Sequence, residues 1–251
     1  MQTFCTHKLN IRQKCYRFVK AIIDFIVALM ALIALIPLFI IVAIAIKVDS
    51  PGHVFFVQKR IGKNGKLFNC IKFRSMSVDA RHDVAGYEYK NVSSYITKVG
   101  AFLRKFSIDE LPQLYNILTF KMSFIGYRPS QGNELELNTA REGYDMYQVR
   151  PGISGWAQVN GRDVLASMPK KKAEYDAYYL QHFSFLLDVK IFFMTIVEVF
   201  KSDDVVEGVI EVPQDNIDEE TMQIDNEAVI ADSITKNVLD NVETAEQKEV
   251  V

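Results

Sequence analysis

Apolar and polar positions follow three different rhythms along this chain. The first has no alternation: FIVALMALIALIPLFIIVAIAI, Phe25 to Ile46, runs for 22 residues without a charge. At about 1.5 Å per helical residue it covers the ~30 Å hydrocarbon core of a bilayer. Pro37 lacks an amide donor, frees the carbonyl of Ile33 and predicts a kink. Lys8, Arg12, Lys14, Arg17 and Lys20 precede the run, and Lys47, Lys59, Arg60, Lys63 and Lys66 follow it. The positive-inside rule therefore assigns both ends to the cytoplasmic side. A bent helix that enters the bilayer and returns to the same face is expected, with a proline-kinked spanning helix as the alternative. A cleaved signal peptide fits less well, since its apolar region is usually only about 7–15 residues long.

The second rhythm is that of β-structure. HVFFVQKRI and KLFNCIKFRSM flank a GKNG turn, and an Asn-Gly pair between β-prone runs predicts a hairpin. Lys72 and Arg74 then share a strand face and form a pair able to meet phosphate; a solvated strand face is the plain alternative. The third rhythm is helical. Leu111, Leu114, Ile117 and Leu118 line one helical face, and Pro169 opens a second helix, KKKAEYDAYYLQHF. FSFLLDVKIFFMTIVEVF is apolar nearly all round, broken only at Asp188, Lys190 and Glu198, and predicts a buried or interfacial helix. Residues from Asp79 to about Gly100 are polar and turn-rich and read as a surface loop.

These elements describe an α+β, mainly helical protein: a basic flank over 1–20, a re-entrant membrane helix over 21–47, a small cytosolic catalytic domain with a β-hairpin and interfacial helices over 48–202, and a tail over 203–251. Charge sharpens the division. The net charge of −2 conceals a tail with 15 acidic residues against Lys236 and Lys248, leaving 27 basic against 16 acidic residues ahead of it. A basic body beside a membrane segment selects a phospholipid surface or phosphorylated small molecules over nucleic acid. The tail carries no Phe, Tyr or Trp and predicts disorder. Cys5, Cys15 and Cys70 have neither zinc-site spacing nor an even count, which fits a reducing cytosol.

One short stretch carries candidate chemistry. SIDELPQLYN, Ser107 to Asn116, places Asp109 and Glu110 side by side before a helical pattern. Ser107 and Glu110 match a capping box, a purely structural reading. Pro112 weighs against it, because a cap at Ser107 would put the proline at the fifth helical residue, whereas a cap at Ile108 or Asp109 puts it in the first turn. In either register the acids sit at a helix N-terminus, where the dipole favours their ionised form. Farther on, MSFIGYRPS and VRPGISGWAQVNGR combine glycines with Arg128, Arg150 and Arg162, a pattern able to bring backbone amides and guanidinium forks to phosphate oxygens.

In order, the basic start and apolar helix with its proline, QKRIGKNGKLFNCIKFRSM, LRKFSIDELPQLYNIL, MSFIGYRP, VRPGISGWAQVNGR and YYLQHFSFLLDVKIFF resemble the bacterial sugar transferase family. These are small monotopic phosphoglycosyl transferases that start surface-glycan assembly, and the resemblance covers roughly Tyr16 to Ser202. Without the extra membrane helices and domain of longer members, the chain reads as the short form. The resemblance implies transfer of a phosphosugar from a UDP-sugar to undecaprenyl phosphate at the cytoplasmic face of the bacterial inner membrane. Mg²⁺ is the implied cofactor, UMP leaves, and a homo-oligomer stays open.

It also implies roles. Asp109 is the nucleophile, forming an aspartyl-phosphosugar intermediate, and Glu110 is its catalytic neighbour; the two are the metal ligands, Glu110 foremost. Arg104 lies near the phosphates, Arg128 and Pro129 shape the uridine end, and Arg150 with Gly152 contacts phosphate or nucleotide; Lys72 and Arg74 are weaker members of the set. Three positions depart from the family pattern. Ile36 stands where a serine commonly precedes the proline, Phe120-Lys121 replaces Gly-Asp, and Tyr127 replaces the proline of Gly-Pro-Arg-Pro. The last two bear on donor binding. Rival readings are a membrane-attached assembly protein without catalysis and a glycosyl transferase that expels UDP.

Overall fold

The computed structural model describes residues 7–80, 95–161, 165 and 168–201. Most of the polar stretch after Asp79, Arg162 and the acidic tail lie outside the described residues. The first helix, α1 (Ile11–Ala34), starts well ahead of the apolar run because Asn10 and Gln13 form a reciprocal capping box. Asn10 Oδ1 accepts the Gln13 N–H at 2.9 Å and Gln13 Oε1 accepts the Asn10 N–H at 3.0 Å. The Gln13 amide also donates to the carbonyls of Leu180 and Gln181. The basic residues Arg12, Lys14, Arg17 and Lys20 thus belong to a helix docked on the domain.

The helix breaks at Leu35. α2 (Ile36–Asp49) follows with Pro37 in its first turn, where a missing N–H costs little, and the two axes differ by 61°. Among the described residues no single helix is long and apolar enough to cross a membrane; the bent pair passes that test only when taken together.

The expected hairpin forms. β1 (Phe55–Ile61) pairs antiparallel with β2 (Leu67–Phe73), from Phe55↔Phe73 to Ile61↔Leu67, and Asn64 (φ 60) and Gly65 (φ 69) take the left-handed positions of the turn. Phe68 and Cys70 pack with Ala28 of α1 and with Leu114 and Ile117 of α4 (Gln113–Leu118). Phe73 joins Val42 and Ile46 of α2 and Leu103 of α3 (Lys98–Lys105). The hairpin therefore braces both arms of the bent helix.

The remaining elements are β3 (Ser123–Ile125), α5 (Leu135–Gly143), β4 (Gly152–Ser154), α6 (Trp156–Val159), α7 (Pro169–Gln181) and α8 (Phe185–Lys201). Pro169 begins α7 as its residue type predicts. β3 and β4 pair in parallel, Ser123 with Gly152 and Ile125 with Ser154. A side chain at Gly152 or Gly155 would collide with the Gly126 backbone, so these glycines allow two chain segments to touch.

Two buried polar centres tie the helices together. Arg141 of α5 donates from Nε to Asp176 of α7 at 2.9 Å, and neither side chain is more than 1 % exposed. Asp188 of α8 accepts from Tyr16 at 2.6 Å, from Tyr179 at 2.8 Å and from the Lys20 ammonium at 2.6 Å. α8 buries Leu187 and Ile191 on the domain and leaves Leu186, Phe192, Phe193 and Val197 exposed. Phe102 and Phe106, and Ile33, Ile40, Ile41 and Ile44 on the bent pair, are exposed as well. Apolar patches of this extent mark contact with a membrane or a partner.

Candidate active site

Asp109 and Glu110 lie in a 3-10 turn, Ile108–Glu110, one turn ahead of α4. The capping box read from SIDE is not formed. Ser107 is left-handed (φ 54) and makes no side-chain cap bond, while Pro112 occupies the N-cap position of a helix that opens at Gln113. The acids are therefore outside the first turn of α4, where a helix dipole acts most strongly.

What surrounds them separates the two carboxylates. Glu110 Oε1 accepts both the Lys72 ammonium at 2.7 Å and Arg128 Nη2 at 2.9 Å. Burial pushes the Glu110 pKa up, but the charges and hydrogen bonds of Arg128 and Lys72 reverse this and hold it well below the usual carboxylate range. Asp109 is 8 % exposed and makes no side-chain hydrogen bond among the described residues. Its pKa is raised: burial dominates, Lys72, Arg104 and Arg128 offset it only in part, and the Glu110 charge adds to it. The expectation that position at a helix end lowers both pKa values thus fails for Asp109, because desolvation of a buried carboxylate outweighs the surrounding cations.

The local sequence explains how these groups converge. Lys72 follows Phe68 and Cys70 on the inward face of β2. Asn116 fixes that strand against α4, accepting the Ile71 N–H at 3.0 Å and donating to the Asn69 carbonyl at 2.7 Å. The Arg128–Pro129 turn is pinned to the end of β1: the Ile61 N–H donates to the Ser130 carbonyl at 2.9 Å and Arg60 Nη1 to the Pro129 carbonyl at 3.2 Å. Arg60 also bonds Gln58 at 2.6 Å and faces Glu134 at 3.5 Å. Arg104 donates from Nε to Ser75 Oγ at 2.9 Å, with its charge bearing on Asp109. Sequence reasoning passed over Asn116, Arg60 and Glu134, although Asn116 ends SIDELPQLYN and Arg60 sits inside QKRIGKNGK. It also passed over Lys172 of α7, whose pKa is pushed down to about 8 by burial first and then by Arg141, with Arg128 adding to it and Asp176 and Glu134 opposing.

Three sequence-derived candidates are placed differently. Arg74 follows the last residue of β2 and donates to the Ser50 carbonyl at 2.7 Å, the Ser50 hydroxyl at 2.9 Å and the Pro51 carbonyl, closing the end of α2. The Gly152 N–H donates to the Tyr127 carbonyl at 2.8 Å and has no amide left for phosphate. Arg150 stacks 5.4 Å over the Phe120 ring in a separate pocket, where the charges that bear on it are Asp24 and Arg17 rather than the dyad.

No group of three or more His, Cys, Asp or Glu side chains assembles among the described residues. The dyad nonetheless offers a hard, all-oxygen donor set: the Asp109 carboxylate is unbonded and Glu110 keeps Oε2 without a bond among the described residues. Such a set fits Mg²⁺, which binds one or two carboxylates and completes its shell with water and substrate phosphate.

Residues 15–202 match the family model described as bacterial sugar transferase. The chain is 40% identical over 194 residues to the UDP-glucose:undecaprenyl-phosphate glucose-1-phosphate transferase of Xanthomonas campestris pv. campestris, covering 75% of this chain and 40% of the relative. It is 41% identical over 184 residues to the UDP-N-acetylgalactosamine-undecaprenyl-phosphate N-acetylgalactosaminephosphotransferase of Aeromonas hydrophila, covering 72% of this chain and 43% of that one. The exopolysaccharide production protein ExoY of Sinorhizobium fredii is 38% identical over 188 residues, 69% of this chain and 81% of its own length. The chain thus spans about two fifths of the length of the first two relatives.

Proposed function

The chain belongs to the bacterial sugar transferase family, and from that premise we propose that it moves a phosphosugar from a UDP-sugar to undecaprenyl phosphate, releasing UMP, in surface-glycan biosynthesis. The observation that carries this reading is the asymmetry of the dyad. Glu110 binds two cations, whereas the adjacent, buried Asp109 binds none among the described residues and faces their combined field.

In this reading an Asp109 carboxylate oxygen attacks the β-phosphorus of the donor. The bond from that phosphorus to the bridging oxygen breaks and UMP leaves, with an aspartyl-phosphosugar left on the chain. A phosphate oxygen of undecaprenyl phosphate then attacks the same phosphorus, the bond to Asp109 breaks, and the carboxylate is restored. Splitting the transfer in two spares the soluble donor and the lipid acceptor from meeting in one complex. Lys72 and Arg128 orient Glu110, Arg104 and Arg128 attract the diphosphate, and burial keeps water from Asp109. Asp109 and Glu110 would hold Mg²⁺, which supplies positive charge to spread the negative charge of the transition state. The bent α1–α2 pair, with its apolar outer surface and cations at both ends, supports entry into and return from the cytoplasmic leaflet.

Purified protein with Mg²⁺ and undecaprenyl phosphate, assayed over a panel of UDP-sugars, is expected to release UMP from at least one. UDP in place of UMP would make the reaction glycosyl transfer, and no nucleotide from any donor would leave a membrane-attached assembly role.

A further inference from the structure

A second cationic centre stands at the foot of α1. Arg17, Lys20 and Asp24 lie on one face of that helix and, with Arg150, line an open cleft whose apolar wall includes Val149 and Phe183. Three of these side chains have protein partners. Lys20 meets Asp188 at 2.6 Å and Asp24 at 3.6 Å, and Asp24 accepts from the Ser123 hydroxyl at 2.6 Å. Arg17 gives one N–H to the Gln148 carbonyl at 3.2 Å. Arg150 Nη1 is buried and has no hydrogen-bond partner among the described residues.

The charge is unbalanced in the same direction. Arg17, Lys20, Lys63 and Arg150 stand against Asp24 and Asp188, a net charge of +2 for the centre. Lys63, in the hairpin turn, has its pKa lowered by burial first and then by Arg17 and Arg150, so this region carries more positive charge than it neutralises. Location narrows the choice of anion. Phe25, the first residue of the apolar run, follows Asp24 directly and stacks at 5.5 Å on Phe120, the ring beneath Arg150. Phe18, Ile22 and Ile26 of α1 are exposed around this level. The pocket thus lies where the helix surface changes from charged to apolar, the depth of lipid headgroups in a bilayer.

We propose that this cleft holds the headgroup phosphate of a membrane phospholipid, with the Arg150 guanidinium donating a charge-assisted hydrogen bond and Arg17 and Lys63 supplying the surrounding field. Such a contact fixes the depth of α1, and through the hairpin that braces α1 and α2 it fixes the height of the catalytic turn above the membrane. The site goes beyond the transfer reaction, and its occupancy is readable without turnover.

The test uses the full chain in nanodiscs made of phosphatidylcholine, phosphatidylglycerol and undecaprenyl phosphate, released and weighed by native mass spectrometry. Wild-type protein is expected to retain a phosphate-bearing lipid, and Arg150→Gln to retain about tenfold less, as loss of a charged hydrogen bond predicts. Arg150→Lys should recover part of the retention, and Lys121→Gln, on an exposed turn nearby, should leave it unchanged. Retained phosphatidylglycerol identifies a structural headgroup site and supports the proposal; retention of undecaprenyl phosphate alone makes the cleft the acceptor site of the transfer reaction and overturns it. Equal retention by wild type and Arg150→Gln overturns it, as does a higher KM for the UDP-sugar in that variant with lipid retention unchanged. If Arg150→Gln does not fold, Arg17→Gln gives the same reading at a side chain less embedded in the core, with a reduction expected and equal retention again overturning the proposal.

Discussion

Asp188 and Asp109 are both buried carboxylates amid cations, and they are built in opposite ways. Asp188 accepts from two tyrosine hydroxyls and a lysine ammonium, so both its oxygens are used. Asp109 accepts from none of the described residues, while its neighbour Glu110 takes the lysine and the arginine that could have served it. The first arrangement satisfies the charge with protein groups and locks α1, α7 and α8 together. The second leaves a desolvated carboxylate without a partner among the described residues, the condition that suits the nucleophilic role proposed for it. Burial and nearby positive charge do not distinguish structure from chemistry; the difference lies in which carboxylate is left without protein partners.

The largest effect that would sharpen this contrast is at Asp109. Asp109→Asn is expected to lower UMP release by roughly 10⁴-fold or more, the scale of losing a nucleophile. Its melting temperature in detergent should hold or rise, because a neutral amide avoids burying a charge. Turnover near the wild-type rate would remove Asp109 from the nucleophile's role, and a large fall in melting temperature would make it a structural carboxylate like Asp188.

Asp188→Ala is expected to do the reverse. Removing one partner from a buried charged network costs about 3–5 kcal/mol, since Lys20 and two tyrosines lose their shared acceptor. Denaturant or thermal unfolding of the detergent-solubilised chain measures it, with activity per folded molecule little changed. A loss below about 1 kcal/mol would mean that Lys20 and Asp24 re-pair without cost and that the network is not what holds the foot of α1.

How much of this was legible in the sequence follows the range of the interactions involved. The Asn-Gly hairpin, the Pro37 bend and the Pro169 helix start are written in local backbone chemistry, and all three form. The β3–β4 pair was invisible, because strands of three residues carry no period and their partners are far apart in sequence. That same pairing is why Gly152 looked like a phosphate contact: a glycine needed for close backbone approach has the same sequence signature as one that exposes an amide. The setting of the Asp109–Glu110 pair was misread at Ser107. α3 ends at Lys105 and the chain reverses through a left-handed residue there, a tertiary demand that no capping pattern records. Asn116, which fixes Lys72 near the dyad, acts across 45 residues and had no local signal at all.

The smallest effect expected is at Lys72, and it tests whether the two carboxylates of the dyad are tuned separately. In the proposed mechanism Asp109 must be ionised to attack, so the acid limb of kcat/KM against pH should follow its titration. Lys72 is the strongest of the charges that lower that pKa, and it also holds Glu110 ionised. Lys72→Met removes the lowering influence, so Asp109 keeps its proton to a higher pH and the acid limb moves up. At the optimum a loss of about 10²-fold is expected from the missing ammonium. A limb that stays in place while the rate falls would mean that Lys72 acts on substrate alone; a limb that moves down would mean that neither carboxylate governs it, since Lys72 lowers the pKa of both. An upward shift, with melting temperature largely kept, would place the Lys72–Glu110 pair apart from the Lys20–Asp188 pair, as an ion pair whose effect is exerted on the carboxylate beside it.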